Sequence, residues 1–134
     1  MKANELMIGD WVYNTHNDQP EQVYEIGSGL VMLDYNDLYE YDEIEPIMLT
    51  EAILKANGFT SEVVVDTIHF VSEDRRLILQ NDTKYLNSNR EWYIHIDSVA
   101  MSSIGSAEFT YVHELQHILR LFGFDKEIIL NPEP

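Results

Sequence analysis

The sequence predicts an α+β protein with a small β unit at the N-terminus, a short linking helix, and a second antiparallel β region with a C-terminal amphipathic helix. Three observations lead to this prediction. Short alternating segments separated by turn residues occupy residues 10–47. Residues 62–97 contain further segments rich in β-branched and aromatic residues. Residues 110–122 carry apolar side chains at a helical period instead.

The N-terminal β unit is predicted from alternation between turn signals. Its four strands are residues 10–14, 22–26, 30–33 and 38–47. The segment 14–20 and the Gly-Ser-Gly segment at 27–29 supply intervening turns. Four short strands within about 45 residues are typical of a strongly bent meander or barrel.

The remaining elements follow from caps and periodicity. Thr50 is a predicted N-cap for a short helix that ends before Gly58. The predicted strands are residues 62–71, 75–80 and 91–97, with a turn at 87–89 and an edge strand at 128–130 before Pro132 and Pro134. The last helix is predicted from an N-cap at Thr110 to about Phe122. We expect two units, residues 1–48 and 49–134, which could also pack as one compact domain.

The charge is strongly negative and unevenly placed. The 134 residues hold 24 acids and 8 bases, a formal charge of -16, and no Lys or Arg lies between residues 3 and 54. Direct nucleic-acid binding and anionic membrane surfaces are therefore disfavoured, because both need cations. The chain has no Cys, which removes disulfides, thiolate metal sites and cysteine nucleophiles. No signal-peptide pattern or spanning apolar run is present, so a cytoplasmic location is expected.

One motif could carry chemistry. His113, Glu114 and His117 match H-E-x-x-H, in which two histidines on one helix face bind Zn²⁺ and the Glu acts as general base. A zinc hydrolase using this motif is thus one alternative, with His16, His69 or His95 as possible sources of the missing third ligand.

Context weighs against zinc. The metzincin continuation fails, because Arg120 and Gly123 stand where glycine and histidine are required. On a helical wheel both motif histidines lie opposite the apolar stripe, so a solvated helix face is expected. A fixed positive charge at Arg120, one turn from His117, also disfavours a dication. The sequence therefore predicts no metal, no cofactor and no catalytic residue, with zinc on His113 and His117 and Glu114 as base kept as the alternative.

A second candidate site is the acidic segment 34–45 (DYNDLYEYDEIE). It fails as a calcium-binding EF-hand loop, because the position that needs glycine is Tyr39. Tyrosine is common in interfaces, so this segment predicts a surface that receives a basic protein partner or imitates nucleic-acid charge. The predicted interaction surface comprises Asp34, Tyr35, Asp37, Tyr39, Glu40, Tyr41, Asp42 and Glu43.

Three segments resemble one family. Residues 1–12 (MKANELMIGDWV) resemble the start M-K-A-N-E-L-R-I-G-N-[WY]-V of a family of uncharacterised proteins from gut Bacteroidetes, their prophages and mobile elements. Residues 41–59 look like its E-P-I-P-L-T-E-E-x-L-x-x-x-G-F segment, and residues 111–123 like its V-H-x-L-Q-[HN] helix. The chain departs from the family start at Met7 and Asp10, where Arg and Asn are usual.

The resemblance implies an SH3-like N-terminal β unit in a two-part α+β protein, and it implies no activity. In the family pattern the position of Glu114 is often not acidic and that of His117 is often Asn, which implies that H-E-x-x-H is incidental here. We therefore expect a small, non-enzymatic, acidic interaction or accessory protein of phage or mobile-element origin. A minimal zinc hydrolase and a nucleic-acid mimic are the alternatives.

Overall fold

The structure, a computed structural model, describes residues 1–34, 37–81, 90–98 and 103–130. It is an α+β protein with two five-stranded antiparallel sheets, one of them curled into a half-barrel, and a C-terminal helix, which confirms the predicted class. The chain forms two compact units, Met1–Met48 with Tyr111–Pro134, and Leu49–Thr110. Contrary to expectation, the C-terminal helix therefore belongs with the N-terminal strands. Within the described residues, no helix is both long and apolar enough to span a bilayer.

The first unit holds five strands, four of them in a meander and a fifth that returns to pair with the first. They are β1 (Trp11–Asn14), β2 (Gln19–Ile26), β3 (Leu30–Leu33), β4 (Asp37–Glu40) and β5 (Ile44–Glu45), in the order β4-β3-β2-β1-β5. The predicted fourth strand, residues 38–47, is interrupted by a 3-10 turn at Tyr41–Glu43. The Glu43 carboxylate accepts the Glu40 backbone N–H at 2.9 Å, which stops the strand and starts the turn.

The core of this unit lies on one face of its strands. Inward-facing side chains alternate along each strand, as a half-buried sheet requires. The buried set is Leu6, Val12, Val23, Val31, Leu33, Tyr39 and Ile44. A register shift between Val23 and Glu25 bends β2, so that one long strand pairs with β1 at one end and β3 at the other.

The second unit begins with α1 (Glu51–Ala56), and Thr50 caps it as predicted by accepting the Ile53 N–H at 3.2 Å. Five strands follow: β6 (Thr60–Val64), β7 (Thr67–Val71), β8 (Leu77–Gln80), β9 (Trp92–Ser98) and β10 (Ser103–Phe109), in the order β10-β9-β8-β7-β6. The single strand predicted at 62–71 is wrong, because the chain reverses at Val65 with φ +58° to form the β6–β7 hairpin.

Helix α2 (Val112–Leu121) returns to the first unit. Its N-cap is Tyr111 rather than Thr110, and the Glu114 carboxylate accepts the Tyr111 N–H at 3.0 Å. The edge strand predicted at 128–130 is absent from the described residues, yet Ile128 is buried and its carbonyl accepts the Trp11 indole N–H at 2.8 Å. The turn predicted at 87–89 and the prolines 132 and 134 lie outside the described residues.

Candidate functional site

A buried carboxylate joins α2 to the N-terminal segment. Asp10 is fully buried, and its Oδ1 accepts from Arg120 Nη1 at 2.8 Å. Its Oδ2 lies 2.6 Å from His117 Nε2 and accepts the Met7 N–H at 2.8 Å. An ionised carboxylate only accepts hydrogen bonds, so His117 donates from Nε2. These contacts satisfy both oxygens of Asp10 and fix the helix against the segment before β1.

Gln116 adds two hydrogen bonds to the same segment. Its Oε1 accepts the Trp11 N–H at 2.9 Å, and its Nε2 donates to the Gly9 carbonyl at 3.1 Å. Gly9 has φ +94°, and a Cβ there would lie 3.2 Å from Arg120 Nη2. Glycine thus allows both the backbone turn and the close approach of the guanidinium.

The solvated helix face predicted for the two histidines is wrong. His113 and Gln116 are buried, and the His117 side chain is 29% exposed. The helical wheel identified the polar face of the helix correctly. A wheel does not show what a face contacts, and this face packs on residues 7–11. Polar groups can be buried there because the backbone and Asp10 supply their partners.

The His113 side chain is buried. Its ring stacks on Tyr111 and meets the His117 ring edge to face, with centroids 5.8 and 5.5 Å apart. Burial lowers the pKa of His113 below its usual value, although the charges of Asp10 and Glu114 act in the opposite direction. Its Nδ1 is buried and has no hydrogen-bond partner among the described residues.

The residues of H-E-x-x-H have structural contacts in this unit. The Glu114 carboxylate, the base of the zinc alternative, caps the N-terminus of its own helix. A catalytic zinc needs a third protein ligand. In the described part of the chain, no group of three His, Asp or Glu side chains is arranged to hold a metal ion. The zinc alternative therefore lacks a ligand set among these residues.

The other three histidines lie elsewhere. His16 is exposed in the β1–β2 turn, with its Nδ1 3.8 Å from Glu43. His69 and His95 lie half-buried on β7 and β9 in the second unit, in the environment expected for sheet histidines. His69 Nε2 lies 3.2 Å from the Thr67 hydroxyl.

The predicted acidic surface is present in part. Asp34, Asp37, Glu40 and Asp42 are exposed, and Glu43 is half-buried. The tyrosines differ from the expectation, because Tyr39 is buried and the Tyr41 hydroxyl donates to the Gly27 carbonyl at 2.5 Å. Both therefore stabilise the β unit instead of presenting exposed rings. Tyr35 lies outside the described residues.

Register brings an apolar strip and acids together on the outer face of the first sheet. Glu25 on β2 pairs with Met32 on β3, which pairs with Leu38 on β4, and Leu30 pairs with Glu40. Leu30 and Leu38 are 41% and 57% exposed. We call Glu25, Leu30, Met32, Leu38 and Glu40 the β2–β4 face. A shallow depression of 390 Å³ lies on it, bordered by the turn at residues 27–29.

The acids of the β2–β4 face are uncompensated. Among the residues that the structure describes, no Lys, Arg or His forms an ion pair with Glu25 or Glu40. Eleven acids lie in residues 1–48, the twelve between residues 3 and 54 less Glu51. Of these, only Asp10 and Glu21 are buried. The negative charge of residues 1–48 is therefore carried mostly at the protein surface.

Sequence reasoning missed the apolar component of this face. Leu30, Met32 and Leu38 lie in segments that were predicted as strands, but their shared face depends on the pairing of three strands. The available signal in the sequence was the alternation of every second residue, which places these apolar residues on the same side of the strands as neighbouring acids.

No family model, curated protein or solved structure matches the chain.

Proposed function

We propose that this protein is a small, non-enzymatic interaction protein that binds a basic protein partner through the β2–β4 face. The observation that carries the proposal is the exposed strip of Leu30 and Leu38 beside the carboxylates of Glu25 and Glu40, which form no ion pair with any residue that the structure describes. Exposed apolar patches rimmed by polar groups are typical of interaction sites. A partner that complements this surface would present an apolar segment flanked by Lys or Arg.

Charge would guide the partner and the apolar strip would hold it. Complementary charge raises association rates and selects partners, whereas desolvated apolar contacts contribute more of the affinity. A nucleic-acid mimic needs carboxylates that replace a phosphate backbone. The apolar centre of the β2–β4 face therefore favours a protein groove or strand as the partner.

The architecture of the first unit supports a finer proposal. A four-stranded meander with a bent β2, followed by a 3-10 turn and by β5 paired with β1, is consistent with the SH3-like unit that the family resemblance implies. Membership of that Bacteroidetes and prophage family, and with it a role on a mobile element, is likewise a proposal that rests on the residues quoted above. The cytoplasmic location stays a prediction.

Capture from a host lysate tests the proposal. The immobilised chain, a Leu38→Ser/Glu40→Lys variant and an Asp66→Lys/Glu73→Lys control are compared at low and high salt. The control changes exposed acids of the second unit. We expect a basic protein that is lost from the face variant, is kept by the control, and remains partly bound at high salt. Equal capture by all three baits would contradict the proposal.

A further inference from the structure

The first unit contains a second concave region, separate from the β2–β4 face. It has a volume of 620 Å³ and lies between α2, residues 8–11 and the chain after the helix. This volume falls within the range of about 300–1,000 Å³ that is usual for small-molecule sites. Its lining includes Ile8, Trp11, Gln116, Arg120, Phe124 and Ile129.

Arg120 lines this pocket, and part of its hydrogen-bonding capacity is unused within the described residues. Its Nη1 binds the buried Asp10, and its Nη2 packs over Gly9. Within the described residues, Nε and Nη2 make no hydrogen bond, and the side chain is 34% exposed. Because Asp10 fixes the guanidinium, little further ordering is needed when those two donors bind a ligand. A planar fork of two N–H donors matches a carboxylate.

The walls of the pocket suit an apolar body. Trp11 and Phe124 offer aromatic surface, and Ile8 and Ile129 are 64% and 63% exposed. Lys126 also lines the pocket, beside Asp125 and Glu127. The first unit has three basic residues, Lys2, Arg120 and Lys126, and two of them line this one pocket.

The unit's negative charge does not prevent anion binding at Arg120. At physiological ionic strength, exposed charges more than about 8 Å away are largely screened. The Asp10 carboxylate is already shared between Arg120 and His117, and the two acids of the lining, Asp125 and Glu127, flank the cation Lys126 in the sequence. The ligand therefore meets a pre-oriented cation in a partly apolar pocket.

We propose that this pocket binds a small carboxylate with an apolar body, with the carboxylate on Arg120 and the body between Trp11 and Phe124. The ligand class follows from the free guanidinium donors and the aromatic walls. The proposal is independent of the β2–β4 face, which shares no lining residue with this pocket.

Titration with 3-phenylpropionate, followed by nitrogen–proton NMR of the full chain, tests the proposal. We expect saturable shifts of the Arg120 Nε–H and the Trp11 indole N–H, with a dissociation constant on the order of 1 mM for a ligand of this size. The matched neutral alcohol, 3-phenylpropanol, is expected to bind at least about tenfold more weakly. Equal affinity for acid and alcohol, or shifts remote from Arg120 and Trp11, would overturn the proposal.

Variants that leave the buried Asp10 untouched keep the test clear of folding defects. Ile129→Glu adds a negative charge at an exposed lining position and is expected to weaken 3-phenylpropionate binding several-fold. Leu121→Glu, at a position that is 79% exposed and outside the lining, is the matched control with unchanged affinity. Equal weakening in both variants would show only a general effect of charge and would also count against the site.

Discussion

Asp10 and Arg120 form an ion pair across 110 positions of sequence, with the Asp10 side chain fully buried and the Arg120 side chain one-third exposed. The two partners differ in their access to water, because the Asp10 side chain is fully buried whereas the Arg120 side chain is partly exposed. Uncompensated buried charge is among the most destabilising changes in a protein. This pair therefore couples α2 to the first strands.

Arg120→Met is expected to lower the free energy of unfolding by about 3 kcal/mol, because among the described side chains it leaves the buried Asp10 with His117 as its one remaining partner. Asp10→Asn is expected to cost less, about 1–2 kcal/mol, since Arg120 can turn to solvent. Urea unfolding of both variants and of the double variant measures the coupling. Strictly additive losses would contradict the pairing. Arg75→Met, which removes an exposed pair with Glu62, is the control and is expected to change little.

Gln116→Leu tests the buried polar face of α2. The substitution removes both hydrogen bonds to the segment before β1 and leaves the Trp11 N–H without its acceptor. We expect a loss of about 2 kcal/mol in chemical unfolding. On a solvated helix face the same substitution would be nearly neutral, so an unchanged midpoint would contradict the packing described here.

His113 predicts a pH dependence with a definite sign. Burial lowers its pKa in the folded state below the ordinary value of 6.5, so the unfolded chain takes up the proton more readily. Stability from this group is therefore complete above pH 6.5 and is lost as the pH falls through the folded pKa. His113→Phe keeps an aromatic ring but cannot titrate. Unfolding measured between pH 8 and 5 should show a smaller loss in the variant than in wild type, and equal slopes would contradict the burial effect.

Val65→Gly tests strain in the β6–β7 hairpin. A β-branched residue at φ +58° occupies a region that costs about 1–2 kcal/mol for an L-residue, and glycine relieves it. We expect thermal unfolding to show a gain of up to about 1 kcal/mol, offset in part by the entropy of glycine in the unfolded chain. Val63→Gly, two residues earlier on β6, is the matched control and should destabilise instead. A loss in both variants would contradict the strained turn.

Local pattern predicted β1, β3, β8 and β9, because these segments lie between turn signals and are rich in residues that favour strands. It failed where tertiary pairing decides. The segment 62–71 has Val65 and no glycine where the chain reverses, so the sequence carried no turn signal for this hairpin. Strand β10 is rich in Ser, Gly and Ala, and it forms by pairing with β9 along seven residues.

The site was less predictable than the fold. The acidic excess of the N-terminal half is visible in the sequence, and four of its exposed acids lie where expected. Nothing in the sequence distinguishes Asp10 from the other acids of the N-terminal half. Its burial depends on Arg120 and His117 at the far end of the chain, and no local pattern records such a pairing.

Isothermal titration with a ten-residue peptide of alternating Lys and Leu tests the β2–β4 face most directly. The protein, a Glu25→Lys/Glu40→Lys variant and the Asp66→Lys/Glu73→Lys control of equal charge change are compared. We predict binding to the protein and the control, at least about tenfold weaker binding to the face variant, and weak binding of a Lys-Ser peptide to all three. Equal affinity for the face variant and the control, or for the two peptides, would contradict the account.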